Sequence, residues 1–277
     1  MEIAILTDFP ELAGALIKSM LLTAMQLVAF LGVFLLVGFW VDLMERKRNG
    51  WLRKSVGEKG IYTTALIGVP IHELGHVVMC WVFGHKVEQV KFVQFGDPDG
   101  TMGYVNHSYE PTNLFHRIGL FFIGIAPILM GITFISLTLY FTLPETFGGW
   151  LEAVRASDGA EDVLATSGVL VTSLFYMENL TNPLFYLFLV LAVSVASHMS
   201  LSPSDIKGAR SGLITMYLIL VIFNLVTLSA RGGEMGIKEL FLNDYNIFVL
   251  SISVIAVLFA GVASGIAFLL YKVKSVL

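Results

Sequence analysis

Charge is scarce in this chain. Of its 277 residues only 14% are Asp, Glu, Lys or Arg, against about 25% in ordinary soluble domains, and 56% are hydrophobic. With a mean hydropathy of +0.79, this balance excludes a conventional water-soluble fold. The net charge of −4 is small and spread over short segments, so no nucleic-acid-binding surface is expected. A single cysteine, Cys80, excludes an intramolecular disulfide and leaves the redox compartment unread. Internal repeats, heptads and low-complexity tracts are lacking, which argues against a solenoid or a stalk. The segment Met1 to Glu11 carries Glu2, Asp8 and Glu11 but no basic start of a secretory signal, so the first apolar run is expected to be retained.

What the sequence does have is apolar runs, and crossing a bilayer as a helix takes about 20 such residues. Runs at 12–41, 61–83, 118–143, 184–200, 212–230 and 247–270 read as spans, and 167–177 as a short or re-entrant piece. The expected fold is a single all-α polytopic membrane domain over 1–277, with six or seven transmembrane helices in the lipid bilayer. Gly119, Gly124 and Gly131 offer close helix contacts in the third run, and Pro127 a kink. Between the second and third runs the period changes. Val87, Val90, Phe92, Val93 and Phe95 precede Asp97-Pro98-Asp99-Gly100, and Met102, Tyr104 and Val105 follow, which predicts a β-hairpin over 87–109. The acidic connection from Pro144 to Thr166, containing Glu145, Glu152, Asp158, Glu161 and Asp162, is left irregular. Glu45-Arg46-Lys47-Arg48 with Arg53 and Lys54, the pair Lys207 and Arg210, and the pair Lys272 and Lys274 mark cytoplasmic flanks. These place the N-terminus outside and the C-terminus in the cytoplasm. Trp40, Trp51, Trp81 and Trp150 lie near span ends and read as interfacial anchors, and His85, His107 and His116 as interface or solvent residues.

The second run holds His72-Glu73-Leu74-Gly75-His76. On a helix the two histidines share one face, a turn apart, and can reach one metal ion, with Glu73 beside them as a base. Three ionisable groups within five residues are costly in a membrane, about 2.5 to 3.5 kcal/mol each by insertion scales, so a compensating partner is expected, and a metal ion supplies one. A zinc ion with three protein ligands keeps a fourth position for water and lowers that water's pKa to about 7. Glu73 would take the proton and return it to the leaving amine, which is peptide hydrolysis. Gly75, without a side chain, lets another backbone or a substrate approach closely.

This motif in an apolar run, the hairpin after it and a distant aspartate near a later span resemble the site-two protease family of intramembrane zinc metallopeptidases. The resemblance covers roughly residues 61–228. It implies that His72, His76 and an aspartate hold Zn2+, that Glu73 is the catalytic base, and that the hairpin handles substrate. The family's third ligand is usually an Asp followed directly by Gly, often after Asn-Pro. Here Asn182-Pro183 is followed by Leu184-Phe185, and the best aspartate lies in Ser204-Asp205-Ile206-Lys207-Gly208, which points to a divergent branch.

Asp205 is therefore the expected third ligand, although with Ser202 or Ser204 it could serve only as helix-start chemistry. His198 is the alternative third ligand or an orienting residue, and Glu178 stands third. Strands over 87–95 and 101–107 could offer a sheet edge to an unwound peptide, or could simply plug the bundle. The expected partner is a membrane-protein or peptide substrate, with homo- or hetero-oligomers possible. Two other classes compete: a metal transporter, which would need further ligands along a path, and a metal-stabilised binding protein, against which Glu73 argues.

Overall fold

The computed structural model describes residues 9–157, 162–230 and 243–276, so most of the stretch Met1–Glu11, together with Asp158 and Glu161, lies outside the described residues. About 81% of the chain is helical. Helix α1 (Phe9–Ser55) turns at Gly57 into the motif helix α2 (Glu58–Val82). Two strands follow, β1 (Lys86–Lys91) and β2 (Tyr104–Ser108), paired antiparallel with an irregularity between Val87 and Gln89. Then come α3 (Leu114–Gly124), α4 (Ala126–Thr142), α5 (Pro144–Arg155), α6 (Val163–Leu174), α7 (Met177–Leu180), α8 (Pro183–Ala196), α9 (Pro203–Ala230) and α10 (Asn243–Val276).

Among the described residues four helices are long and apolar enough to cross a membrane: Leu12–Ser55, Glu58–Val82, Pro203–Leu228 and Ile247–Val276. The third apolar run is two helices, α3 and α4, bent by 59°, and counting them as one span gives five. Hydropathy alone suggested six or seven because it scores apolar residues and not helix length. The runs at 167–177 and 184–200 fold as α6 and α8, of 12 and 14 residues, against the roughly 20 that a span requires. The acidic connection differs from expectation as well: its first half is helix α5, with Pro144 at the helix start. Trp150 lies there at 0% exposure, its indole N–H donating to Ser251 Oγ at 3.0 Å, so it is a core residue and not an interfacial anchor.

Polar side chains join the long helices. Asn224 of α9 donates to Thr23 Oγ1 and Gln26 Oε1 of α1, both at 2.8 Å, and Ser264 of α10 donates to the Met44 carbonyl. Lys274 Nζ reaches the carbonyl of Ser55 at 2.6 Å. The C-terminal ends of α1 and α10 therefore lie together. Arg48 of α1 bonds the carbonyl of Ser197, just after α8, and Ser200 bonds Glu45, which brings the start of α9 to the same end. All three basic flanks thus gather at one end of the bundle.

A candidate metal centre

Helix α2 presents His72 and His76 toward the start of α9. His76 Nε2 lies 3.3 Å from His72 Nε2 and 3.4 Å from Asp205 Oδ1, and His72 Nε2 lies 3.9 Å from Asp205 Oδ2. Each imidazole is oriented through its other nitrogen. His72 Nδ1 donates to the His198 carbonyl at 2.9 Å, and His76 Nδ1 donates to the Ile123 carbonyl at 2.8 Å. Carbonyls only accept, so in the neutral imidazoles the proton sits on Nδ1 and Nε2 carries the lone pair. Two lone pairs and a carboxylate then converge with no proton between the nitrogens, and a cation resolves that arrangement. Bonds of about 2.0 to 2.1 Å in a tetrahedron imply ligand-to-ligand edges of roughly 3.4 Å, which two of the three separations match, while that from His72 to Asp205 is longer at 3.9 Å. The donor set fits zinc.

Local sequence explains why these carbonyls are free. A helix would satisfy the Ile123 carbonyl with the N–H of residue 127, but that residue is Pro127, which has none. For the His198 carbonyl the corresponding donor is Ser202 N, which instead bonds Asp205 Oδ2 at 2.7 Å. Asp205 N in turn bonds Ser202 Oγ at 3.2 Å, a reciprocal capping box at the start of α9. The two sequence readings of Asp205 are thus compatible: one carboxylate oxygen caps the helix while the other faces His76.

Glycines permit the close approaches. A Cβ on Gly75 would stand 2.8 Å from the Ala126 carbonyl oxygen, so the approaching backbone is that of α4. A Cβ on Gly103 would stand 2.8 Å from Glu73 Oε1, so the chain entering β2 passes directly over Glu73. Glu73 itself is 5% exposed and has no hydrogen-bond partner among the described residues. It borders a cavity of about 570 Å³ together with His72, His76 and Asp205, Glu45 and the run from Thr101 to His107. Successive strand residues face opposite ways, so a consecutive lining run means that the backbone edge of β2 faces the cavity.

The other sequence candidates fall elsewhere. The one group of three among the described residues that could hold a metal ion is His72, His76 and Asp205. His198 is buried, with Nε2 3.0 Å from Thr64 Oγ1, and acts on His72 through its carbonyl. Glu178 is exposed on α7.

Sequence reading missed two features. Arg48 is 2% exposed and Glu45 lines the cavity, so the supposed cytoplasmic flank is partly built into the site, whereas Arg46 and Lys47 do face outward. His85 is likewise no solvent residue, being 4% exposed. Its Nε2 donates to the His116 carbonyl at 2.9 Å, which leaves Nδ1 to accept from His107 Nδ1 at 3.0 Å. Burial lowers the protonation of His85 below the ordinary histidine range, and burial followed by the neighbouring His85 does the same for His107. Gly84, at φ +71°, makes the turn that sends β1 back along α2. By Phe95 the chain has reached Tyr62 near the start of α2, with ring centroids 4.4 Å apart. The spacing of Gly84 and His85 after the motif was the available signal, but without the turn geometry it carried no direction.

Comparison of the chain with protein-family models, with curated proteins and with solved structures gives no match.

Proposed function

We propose that this chain is a zinc-dependent intramembrane peptidase that hydrolyses a peptide bond in or near a transmembrane segment of another membrane protein. One observation carries the reading: two oriented imidazole lone pairs and a carboxylate converge beside a buried carboxylate that has no hydrogen bond of its own, in a cavity bordered by a strand edge. His72, His76 and Asp205 would hold zinc, which would supply Lewis acidity to a peptide carbonyl and to water. Glu73 takes the proton from the attacking water and returns it to the leaving amine. A helical substrate hides its carbonyls in its own hydrogen bonds, so it must unwind first. Strand β2 is paired on one side by β1, and a peptide adding to its other edge, as the resemblance to site-two proteases implies, runs past Glu73. A transport path would call for further ligand groups, and the described residues offer one.

The gathering of the basic flanks at one end supports a cytoplasmic position for that end, with the N-terminus outside. The apolar run of α1 ends at Val41, about 6 Å of helix rise before Glu45, which borders the cavity. The cavity then lies near the cytoplasmic boundary of the bilayer, where water and a locally unwound segment can both enter.

The test compares purified wild type with Glu73→Gln. Wild type should hold one zinc per chain and cut candidate membrane peptides. The variant should keep the metal and lose cleavage by several orders of magnitude. Turnover near the wild-type rate in Glu73→Gln would remove Glu73 from the chemistry and the peptidase reading with it.

A further inference from the structure

We infer that Glu45 and Arg48 of α1 are positioning residues for the metal centre, because they hold the turn that orients His72 and presents Asp205. This rests on the reading of His72, His76 and Asp205 as a metal site.

The turn runs from Ser197, at the end of α8, to Ser202, which caps α9. Arg48 fastens its beginning. The guanidinium is almost wholly buried and donates to the Ser197 carbonyl at 2.8 Å, at a helix C-terminus where a cation is favoured. It also meets Asn49 Oδ1 at 3.2 and 3.0 Å and lies 3.9 Å from Glu45. Burying an unpaired guanidinium in an apolar bundle is costly, so the partners and not the solvent hold this side chain in place. Glu45 fastens the middle: one carboxylate oxygen accepts from the Ser200 hydroxyl, and the other lies 3.8 Å from His198 Nδ1. Between those two anchor points sits the His198 carbonyl that takes the His72 Nδ1 proton, and Asp205 follows three residues after Ser202. A shift of the turn therefore moves two of the three metal-facing groups together. His76, oriented by the Ile123 carbonyl on α3, is independent of it.

Outer groups that orient metal ligands are worth about 10- to 100-fold in metal affinity. Cobalt(II) is the probe, because its visible bands report ligand geometry without any need for turnover. The full-length detergent-solubilised protein is compared with Glu45→Gln, Arg48→Met, Arg48→Lys and the outward-facing control Arg46→Met. Wild type should bind one cobalt per chain. Glu45→Gln and Arg48→Met should bind it about 10- to 100-fold more weakly, with displaced bands. Arg48→Lys, which keeps a cation beside the Ser197 carbonyl, should recover much of the loss, and Arg46→Met should match wild type. A general loss of stability would weaken the fold without displacing the bands of the metal that still binds. If Arg48→Met does not fold, Glu45→Gln, which keeps shape and an acceptor for Ser200, decides the question. Wild-type affinity and bands in Glu45→Gln and Arg48→Met, with cobalt bound normally by wild type, would overturn this inference alone. A wild-type protein that takes up no cobalt overturns the metal site itself, and this inference with it.

Discussion

Gly124 is the position where a single methyl group should do most damage to the site without touching any of its side chains. It ends α3 against the first turns of α9. A Cβ there would meet the Asp205 carbonyl oxygen and stand 2.7 Å from both Cβ and N of Ala209, where ordinary contact starts at 3.4 Å. The start of α9 must therefore withdraw by at least about 0.7 Å, and Asp205 with it, whereas metal-ligand distances tolerate about 0.2 Å and catalytic placements about 0.5 Å. A misplacement near 1 Å costs on the order of 100-fold in rate. Gly124→Ala is expected to weaken zinc about 10- to 100-fold, measured by competition with a chelator, and to cut peptide cleavage by about 100-fold. Overall stability is a poor readout, since alanine also favours the helix by about 1 kcal/mol over glycine. The matched control is Gly265→Ala, where an added Cβ meets nothing within 4 Å and both metal affinity and cleavage should be unchanged. Wild-type zinc affinity and wild-type cleavage in Gly124→Ala would show that the α3–α9 contact does not set the position of Asp205.

Other outcomes follow from the same geometry. Asp205→Asn should lose zinc by more than about 100-fold, beyond the effect of an outer group, whereas His198→Ala keeps the carbonyl that orients His72 and should lose far less; the reverse order in a zinc titration would make His198 the ligand. A cysteine placed at exposed Lys59 should resist an impermeant thiol reagent in intact cells and react after lysis, with native Cys80 silent at 0% exposure; labelling in intact cells reverses the orientation. The pair of buried His85 and half-buried His107 should make the hairpin sensitive to acid. Both have folded-state pKa values below the ordinary histidine value of about 6.5, so the unfolded segment binds more protons in that window. Their contribution is complete above about pH 6.5 and is lost as pH falls toward the lowered values. Amide exchange over 86–108, corrected for its intrinsic pH dependence, should speed up below pH 6 in wild type and less so in His107→Gln; equal acceleration in both would clear this pair of the effect.

Much of the fold could be read from the sequence because apolar length and periodicity are strong signals. The long helices α1, α2, α9 and α10 and the two strands all fall on segments expected to be spans or hairpin. Helix ends were harder, since a bilayer-sized apolar run says nothing about where the helix continues into polar sequence. Helix α9 starts at Pro203, well before the apolar run at 212, and its polar first turns are the part that carries Asp205. Burial inside a charged run was not legible either. Arg46, Lys47 and Arg48 are alike in charge, and only the continuation of α1 past its apolar run puts Arg48 on the buried stripe of Val37, Val41, Leu52 and Ser55, where it meets the Ser197 carbonyl.

The side chains of the candidate metal centre were legible for a different reason than the groups that aim them. His72, Glu73 and His76 announce themselves by side-chain chemistry at helical spacing, whereas their orienting partners are backbone carbonyls, which any residue possesses. What distinguishes those carbonyls is a missing helical donor four residues later. Pro127 removes the donor that would have claimed Ile123, and the capping box at Ser202 and Asp205 removes the one that would have claimed His198. Pro127 therefore does more than bend the third apolar run. By the same logic Pro127→Ala should let α3 and α4 straighten, return the Ile123 carbonyl to a helical bond and release His76 Nδ1, so that zinc binding weakens while His72 stays oriented.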